Sequence, residues 1–285
     1  MTETSFAQLT DHFYWMSPGP PDRPSLGAVV GDQFTLLLDA GASAAHAHLF
    51  RAALTAAVVP LPRYVALTHW HWDHIFGAEA LALPVIAQTL TAQQLALLAT
   101  YEWDDVALDA RVHTGAEIIS CADNIKIELP APRQIHIIES TLTFTDSLKI
   151  DLGGVNCTLQ HVGGDHAADS VVAYVEPDRV LFLGDCLYPG IYGVPTWQYT
   201  RAQVLPLLDK LHAFDAQFYI EGHGDTVLTR AEFTTLTTRL RLAADLVGEY
   251  GANAAAVLAA AERAGQPRDA DLIETVQDFI AGLST

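Results

Sequence analysis

The chain has 285 residues, and its 15 Lys and Arg stand against 34 Asp and Glu, a formal net charge of −19. That balance excludes a phosphate-backbone partner, which is held by clustered Lys and Arg that displace counterions, and it excludes an anionic membrane surface on the same ground. With 50% apolar and only 17% charged residues the sequence is not a disordered acidic tail either, because it has apolar surface enough to offset the entropy of ordering. The acidity belongs to a folded protein, the size of one large or two ordinary domains.

Three cysteines, Cys121, Cys157 and Cys186, are too sparse and too odd in number for a disulfide framework. The opening MTETSFAQLTDHFYWM has neither the basic start nor the apolar stretch of a signal peptide. Nowhere is there the run of about 18 apolar residues that a membrane span needs. The expectation is a cytoplasmic, reduced protein with no membrane partner. Its 12 histidines are many for this length, and beside so much negative charge they give the first hint of metal.

In chain order, LGAVVGDQFTLLLD at 26–39 reads as a hairpin turning at Gly31-Asp32 and ending at Asp39. Gly41 to Val58 has the composition of a helix, and Arg63 to Thr68 is a compact buried strand. Residues 91–140 interrupt this pattern as an insertion: an apolar helix (TAQQLALLAT), an acidic aromatic stretch (YEWDDVALD) and the Pro-punctuated ELPAPRQ. Strands follow at LTFTDSLKIDL, VNCTLQHV, SVVAYV and VLFLGD, then a helix over 201–214 and the short strand QFYI. From about residue 230 the tail is helical and Ala-rich, broken at Gly251 and at Gly265-Gln266-Pro267. Strands with helices after them in each half describe α/β layers with helices outside sheets. The expected organisation is a main domain over 1–230 with the 91–140 insertion overhanging a site, and a helical extension over 231–285 packed on it.

Thr68-His69-Trp70-His71-Trp72-Asp73-His74 places four candidate metal ligands in six residues after the buried strand. Imidazole suits zinc and similar ions, and a carboxylate completes a charged, open site. If the segment is extended, His69, His71 and Asp73 share one side, and a turn brings His74 round to join Asp73. That arrangement serves two ions, not one.

With this motif the sequence resembles the metallo-β-lactamase superfamily over roughly residues 10–230, and the other ligand motifs of that family follow in order. Asp39 closes LLLDAG, His166 lies in VGGDHAADS, Asp185 ends VLFLGD, and His223 lies in EGHGD. The resemblance implies a four-layered αβ/βα sandwich in which His69, His71 and His166 hold one ion and Asp73, His74 and His223 a second. Asp185 would bridge them and Asp39 support the site from behind. It implies two Zn2+, with Mn2+ or Fe2+ as alternatives, and a bridging hydroxide that attacks a carbonyl, so that Asp73 and Asp185 serve the reaction as well as the metals. Zinc β-lactamases commonly use cysteine in the fourth motif. Because successive strand residues face opposite ways, only one of Asp185 and Cys186 reaches the metals, and Asp185 is the choice, as in glyoxalase-II-like and lactonase-like relatives.

Trp70 and Trp72 flank the ligands, and Tyr188, Tyr192, Trp197 and Tyr199 lie in a Gly/Pro-broken loop after Asp185. Such a loop makes a pocket wall, for which Trp70, Tyr192 and Trp197 are selected, with the Tyr192 hydroxyl placed near the substrate oxygen. Tyr101 and Trp103, among Glu102, Asp104 and Asp105, read as a solvated acidic face. His161 reads as a core or surface residue, His46 and His48 lie on different faces of a helix, and the remaining histidines are ordinary.

The implied function is hydrolysis of a small substrate: a lactone, ester, thioester or β-lactam. A β-lactamase proper is disfavoured, because Tyr188-Pro189-Gly190 stands where those enzymes bring a Lys to the substrate carboxylate. A diiron oxidoreductase usually has a carboxylate at the position of His71 and needs a flavin domain, and a scaffold without turnover has no missing ligand to recommend it. A homodimer is the default assembly.

Overall fold

A computed structural model describes residues 4–284. The first half runs β1 (Phe6–Gln8), β2 (Phe13–Met16), β3 (Leu26–Val30), β4 (Thr35–Leu38), α1 (Ala44–Ala56), β5 (Pro62–Ala66), the single turns α2 (Trp72–Ile75) and α3 (Ala78–Leu81), and β6 (Val85–Gln88). The insertion carries α4 (Thr89–Leu98), α5 (Asp105–Thr114) and α6 (Ile119–Glu128), and β7 (Leu142–Phe144) returns to the sheet. In the second half come β8 (Ser147–Asp151), β9 (Asn156–His161), β10 (Val171–Glu176), β11 (Val180–Gly184), α7 (Arg201–His212), β12 (Phe218–Glu221) and β13 (Leu228–Thr229). Three tail helices follow: α8 (Arg230–Tyr250), α9 (Ala254–Arg263) and α10 (Ala270–Ala281).

Two sheets result, ordered β1-β2-β3-β4-β5-β6-β7 and β13-β12-β11-β10-β9-β8. The first is antiparallel from β1 to β4 and parallel from β4 to β7, while the second is antiparallel except for the pairing of β11 with β12. Period-two alternation explains the layers. Leu36 and Leu38 of β4 face Phe182, Val175 and Leu159 of the second sheet, whereas Leu37 between them joins Phe50 and Leu54 of α1 in an outer core. On the opposite outer face Leu181, Leu183 and Tyr219 pack against Leu208 of α7 and against Phe233, Val257 and Val276 of the tail. Both faces of each sheet are therefore covered, which is why TLLL is buried throughout. The four-layered αβ/βα sandwich is the observed fold, with the insertion helices on one outer layer and the tail helices on the other.

Differences from the sequence reading are local. The strand expected at 63–68 runs Pro62–Ala66, and the acidic stretch is the start of α5, capped by the Asp104 side chain on the Ala107 N–H. Glu102, Asp104 and Asp105 are exposed as a solvated acidic face, but Trp103 is buried against Phe76 with the Arg111 guanidinium over its ring. Helix α6 and strands β1, β2 and β6 were not foreseen, since each is short and takes its partners from distant segments. Among the described residues no helix is long and apolar enough to cross a membrane.

The tail is anchored by Phe233, fully buried and stacked on Tyr219 at 3.8 Å. Phe233→Ala is expected to cost about 3–5 kcal/mol in urea unfolding, the price of an aromatic cavity. A loss below 1 kcal/mol would show that the tail docks independently. A second expectation concerns His46, fully buried in α1 with its Nδ1 accepting from the Ala42 N–H. Burial, then Arg23, depresses this imidazole from 6.5 to about 3, so it folds neutral. Between those values the unfolded chain binds more protons, and stability must fall as pH drops through that window. Denaturation midpoints of His46→Leu should decline less steeply from pH 6.5 downward than those of the parent, whereas parallel slopes would remove His46 as a cause.

Candidate metal centre

Every loop that carries a candidate ligand leaves the carboxyl end of a strand: Asp39 after β4, His69 to His74 after β5, His166 after β9, Asp185 after β11 and His223 after β12. That is the edge at which open α/β sheets gather their ligand-binding groups. The segment after β5 is extended only as far as His71, the N-cap of α2, and Asp73 and His74 enter the site from that helical turn. Helical geometry rather than strand alternation therefore lets two successive residues face one centre.

The side chains converge in two groups whose ligating atoms lie within 4.8 Å of one another: His69, His71 and His166, and Asp73, His74, Asp185 and His223. Asp185 Oδ2 stands between them, 3.8 Å from His69 Nε2, 3.4 Å from His166 Nε2, and 3.3 Å from the Nε2 atoms of both His74 and His223. Asp73 Oδ2 lies 3.2 Å from the same two Nε2 atoms. Cys186, by contrast, is buried in the outer core beside Leu208 and Tyr219, and burial raises its thiol pKa.

Supporting contacts aim the rings. Asp39, fully buried and left-handed at φ 62°, accepts from the Thr68 N–H at 2.7 Å, from the Thr68 hydroxyl at 2.9 Å and from His74 Nδ1 at 2.7 Å. Thr68 Oγ1 lies 3.0 Å from His69 Nδ1, and the Pro189 carbonyl lies 3.2 Å from His166 Nδ1. With Nδ1 engaged, each ring presents Nε2 inward. A Cβ on Gly222 would fall 1.8 Å from Asp185 Oδ1, so only glycine lets the His223 loop pass that carboxylate.

The electrostatics fit cations. Burial, then the neighbouring His74 and His71, holds His69 well below 6.5, and burial with His166 does the same for His71, so both rings keep a free lone pair at neutral pH. Burial works to raise Asp73 and Asp185, but His74 and His223 outweigh it and hold both carboxyls below their ordinary values. For His74 and His223 burial opposes the charge, yet Asp73 and Asp185 raise both well above 6.5. The acids thus demand positive charge, which divalent cations would meet by displacing protons. The Nε2 atoms of His69, His71, His74 and His166 and Asp185 Oδ1 are buried without a hydrogen-bond partner, an expensive condition that coordination relieves. These His and Asp groups are able to bind metal ions, and the donor set fits them.

A cavity of about 420 Å3 opens onto the centre, lined by His71, Asp73, His166, Asp185 and His223 and walled by Trp72, Tyr188, Pro189, Ile191 and Trp197. Of the three wall residues expected, Trp197 lies here, half exposed at 52%. Trp70 and Tyr192 line a separate cavity behind it, and the Tyr192 hydroxyl donates to Glu117 Oε1 at 2.7 Å, so it is committed away from the reacting side. Sequence reasoning missed Asp22, Ser120 and Cys121, which come from the loop before β3 and from α6. It also passed over Tyr188, whose hydroxyl accepts from the His223 N–H at 3.1 Å. No local pattern distinguishes them, since only the tertiary fold brings them together.

Fold and site together define a metal-binding protein of two αβ layers. A family model of the metallo-β-lactamase superfamily matches residues 20–250, and the chain belongs to that superfamily. A metallo-β-lactamase type 2 of Bacteroides fragilis is 30% identical over 111 residues, 37% of this chain and 43% of that protein, so the match spans less than half of the relative's length. Among solved structures, a metallo-β-lactamase from Pontibacter korlensis superposes with a TM-score of 0.56 at 17% identity, over 83% of this chain and 98% of that one. A sec-alkylsulfatase from Pseudomonas sp. reaches 0.64 at 14% identity over 99% of this chain and 50% of its own.

Gly222→Ala should push Asp185 aside and cost bound metal measured by plasma emission, while Cys186→Ala should retain it. Metal retained in the first and lost in the second would reverse the roles of Asp185 and Cys186.

Proposed function

We propose that the protein is a dinuclear metallohydrolase, zinc by its donor set, that cleaves a small carbonyl substrate such as a lactone, ester, thioester or β-lactam. The observation that carries this reading is the set of buried, unpartnered imidazole nitrogens around one carboxylate oxygen at the floor of an open cavity. His69, His71 and His166 would hold one ion, Asp73, His74 and His223 the other, and Asp185 both. Ions so held supply Lewis acidity and lower the pKa of water toward neutrality.

The remaining work falls to the chain. Asp73, kept ionised and lining the cavity, can accept a hydrogen bond there and so orient the attacking water and the leaving group. The Tyr188 phenol, raised well above 10 by burial and then by Glu221, stays protonated and can donate to the substrate oxygen. Trp72, Ile191 and Trp197 offer apolar surface to the rest of the substrate. Among the described residues no Lys or Arg lines the cavity, which speaks against a carboxylate-clamped β-lactam as the preferred substrate.

The test is metal analysis with a panel of nitrocefin, homoserine lactones, thioesters and aryl esters. Two equivalents of zinc, with hydrolysis abolished by chelation and by His71→Ala, are the expected result. A redox-active iron centre, or full metal loading with no turnover on any member, would overturn the reading.

A further inference from the structure

Among the described residues, Asp22 is the one charged side chain lining the main cavity that belongs to neither ligand group. It sits at the rim on the His223 side, its side chain 34% exposed, and lines both this cavity and an adjoining one of about 300 Å3 that ends at Asp225. Its Oδ2 accepts from Asn124 Nδ2 at 3.0 Å, and Oδ1 lies 3.7 Å from His223 Nδ1, beyond hydrogen-bond length. The next residue, Arg23, offers no compensating charge to the cavity, because Glu128 of α6 takes its Nε at 2.9 Å and its Nη2 at 2.9 Å. Two contacts thus pin the loop to α6 and fix the carboxylate in place. The same cavity is lined by the aromatic side chains of Tyr188 and Trp197.

A rigid, partly desolvated carboxylate that shares a cavity with aromatic side chains, and whose imidazole neighbour would be neutral when it holds a metal, is an arrangement that receives an ammonium group. The overall charge of −19 adds long-range attraction of the same sign. A carboxylate on a substrate would meet repulsion at this rim.

We propose that Asp22 selects the substrate by charge, so that the cavity takes carbonyl compounds bearing an ammonium group on the part that lies toward the rim. The inference rests on the hydrolase reading for its chemistry, but the recognition is a binding property and is tested apart from turnover.

The experiment uses the zinc-loaded full chain and its Asp22→Asn variant. Calorimetry compares benzylammonium with benzyl alcohol, and kcat/KM is measured for aryl acetates carrying para-aminomethyl, para-methyl or para-carboxylate groups. Benzylammonium should bind the parent roughly tenfold more tightly than the alcohol, a partly exposed charge pair of ordinary strength, and the variant should lose that margin. The ratio of aminomethyl to methyl ester should fall equally, while intrinsic reactivity cancels in the comparison. Equal binding of the two probes by the parent, or a ratio unchanged by Asp22→Asn, would overturn the inference. So would a variant that loses zinc yet keeps its charge preference, since Asp22 would then serve only to position His223. Absence of turnover on every ester, with the calorimetric margin intact, would defeat the hydrolase reading and leave the cation site standing.

Discussion

Two carboxylates, Asp73 and Asp185, lie buried at the floor of the cavity within hydrogen-bonding range of imidazoles. Charge in such a place is costly, and each unpartnered buried nitrogen around it costs about 1–3 kcal/mol more. A fold tolerates this only if the surrounding structure holds the groups together against their tendency to scatter. Asp39 does so in a left-handed conformation that ordinary residues avoid, because its carboxylate must reach the Thr68 backbone, the Thr68 hydroxyl and His74 together. Gly184, at φ 54°, lets β11 end against Thr68, where a Cβ would sit 2.9 Å from that side chain. Asp39, Gly184 and Gly222 are thus three positions where the backbone is fitted to the site.

The sandwich supplies the rigidity. Inner-face residues of both sheets form one core, and each outer face is closed by its own helices, so the strand ends that carry the ligands cannot shift independently. The Val171 N–H donates to the Thr68 carbonyl at 2.8 Å, joining the two sheets at the level of the site. Asp169, fixed by the Thr91 hydroxyl at 2.8 Å, ties the His166 loop to the first helix of the insertion. Burial, offset in part by that hydroxyl, raises its carboxyl to about 6. Such bonds are short-range, but they couple the geometry of both ligand groups to the packing of every layer.

What could be read in advance follows from the range of each constraint. Of the ligands, HxHxDH was legible as a local spacing, whereas Asp39, His166, Asp185 and His223 were placed only by the resemblance of their motifs to a known family. Leu36, Leu37 and Leu38 were legible as an apolar run in a hairpin, but not as a strand covered on both faces. The walls of the cavity were not legible: the Trp70 ring meets that of Tyr192 at 4.7 Å, tilted, and nothing in WHW says which way it turns. Asp22 lies between prolines in a loop without periodicity, and its meaning arises only from Asn124, more than a hundred residues away. Helix α6 likewise lacks an N-cap hydrogen bond and a strong apolar stripe, so its place was fixed by tertiary contacts through Cys121 and Ile125.

That division has a consequence for how chemistry and selectivity are distributed. The ligand groups come from loops at the carboxyl ends of strands, whereas the cavity wall is assembled from the loop before β3, from the insertion helix α6 and from the loop after Asp185. Arg23 and Asn124 bind the first two of these together, so a change in α6 reaches the rim through the Asp22 loop without touching any ligand. The charge balance then acquires a direction. Cations would neutralise Asp73 and Asp185 at the floor, and the uncompensated negative charge nearest the substrate is left at the mouth, where it acts on what enters and not on the bond that breaks.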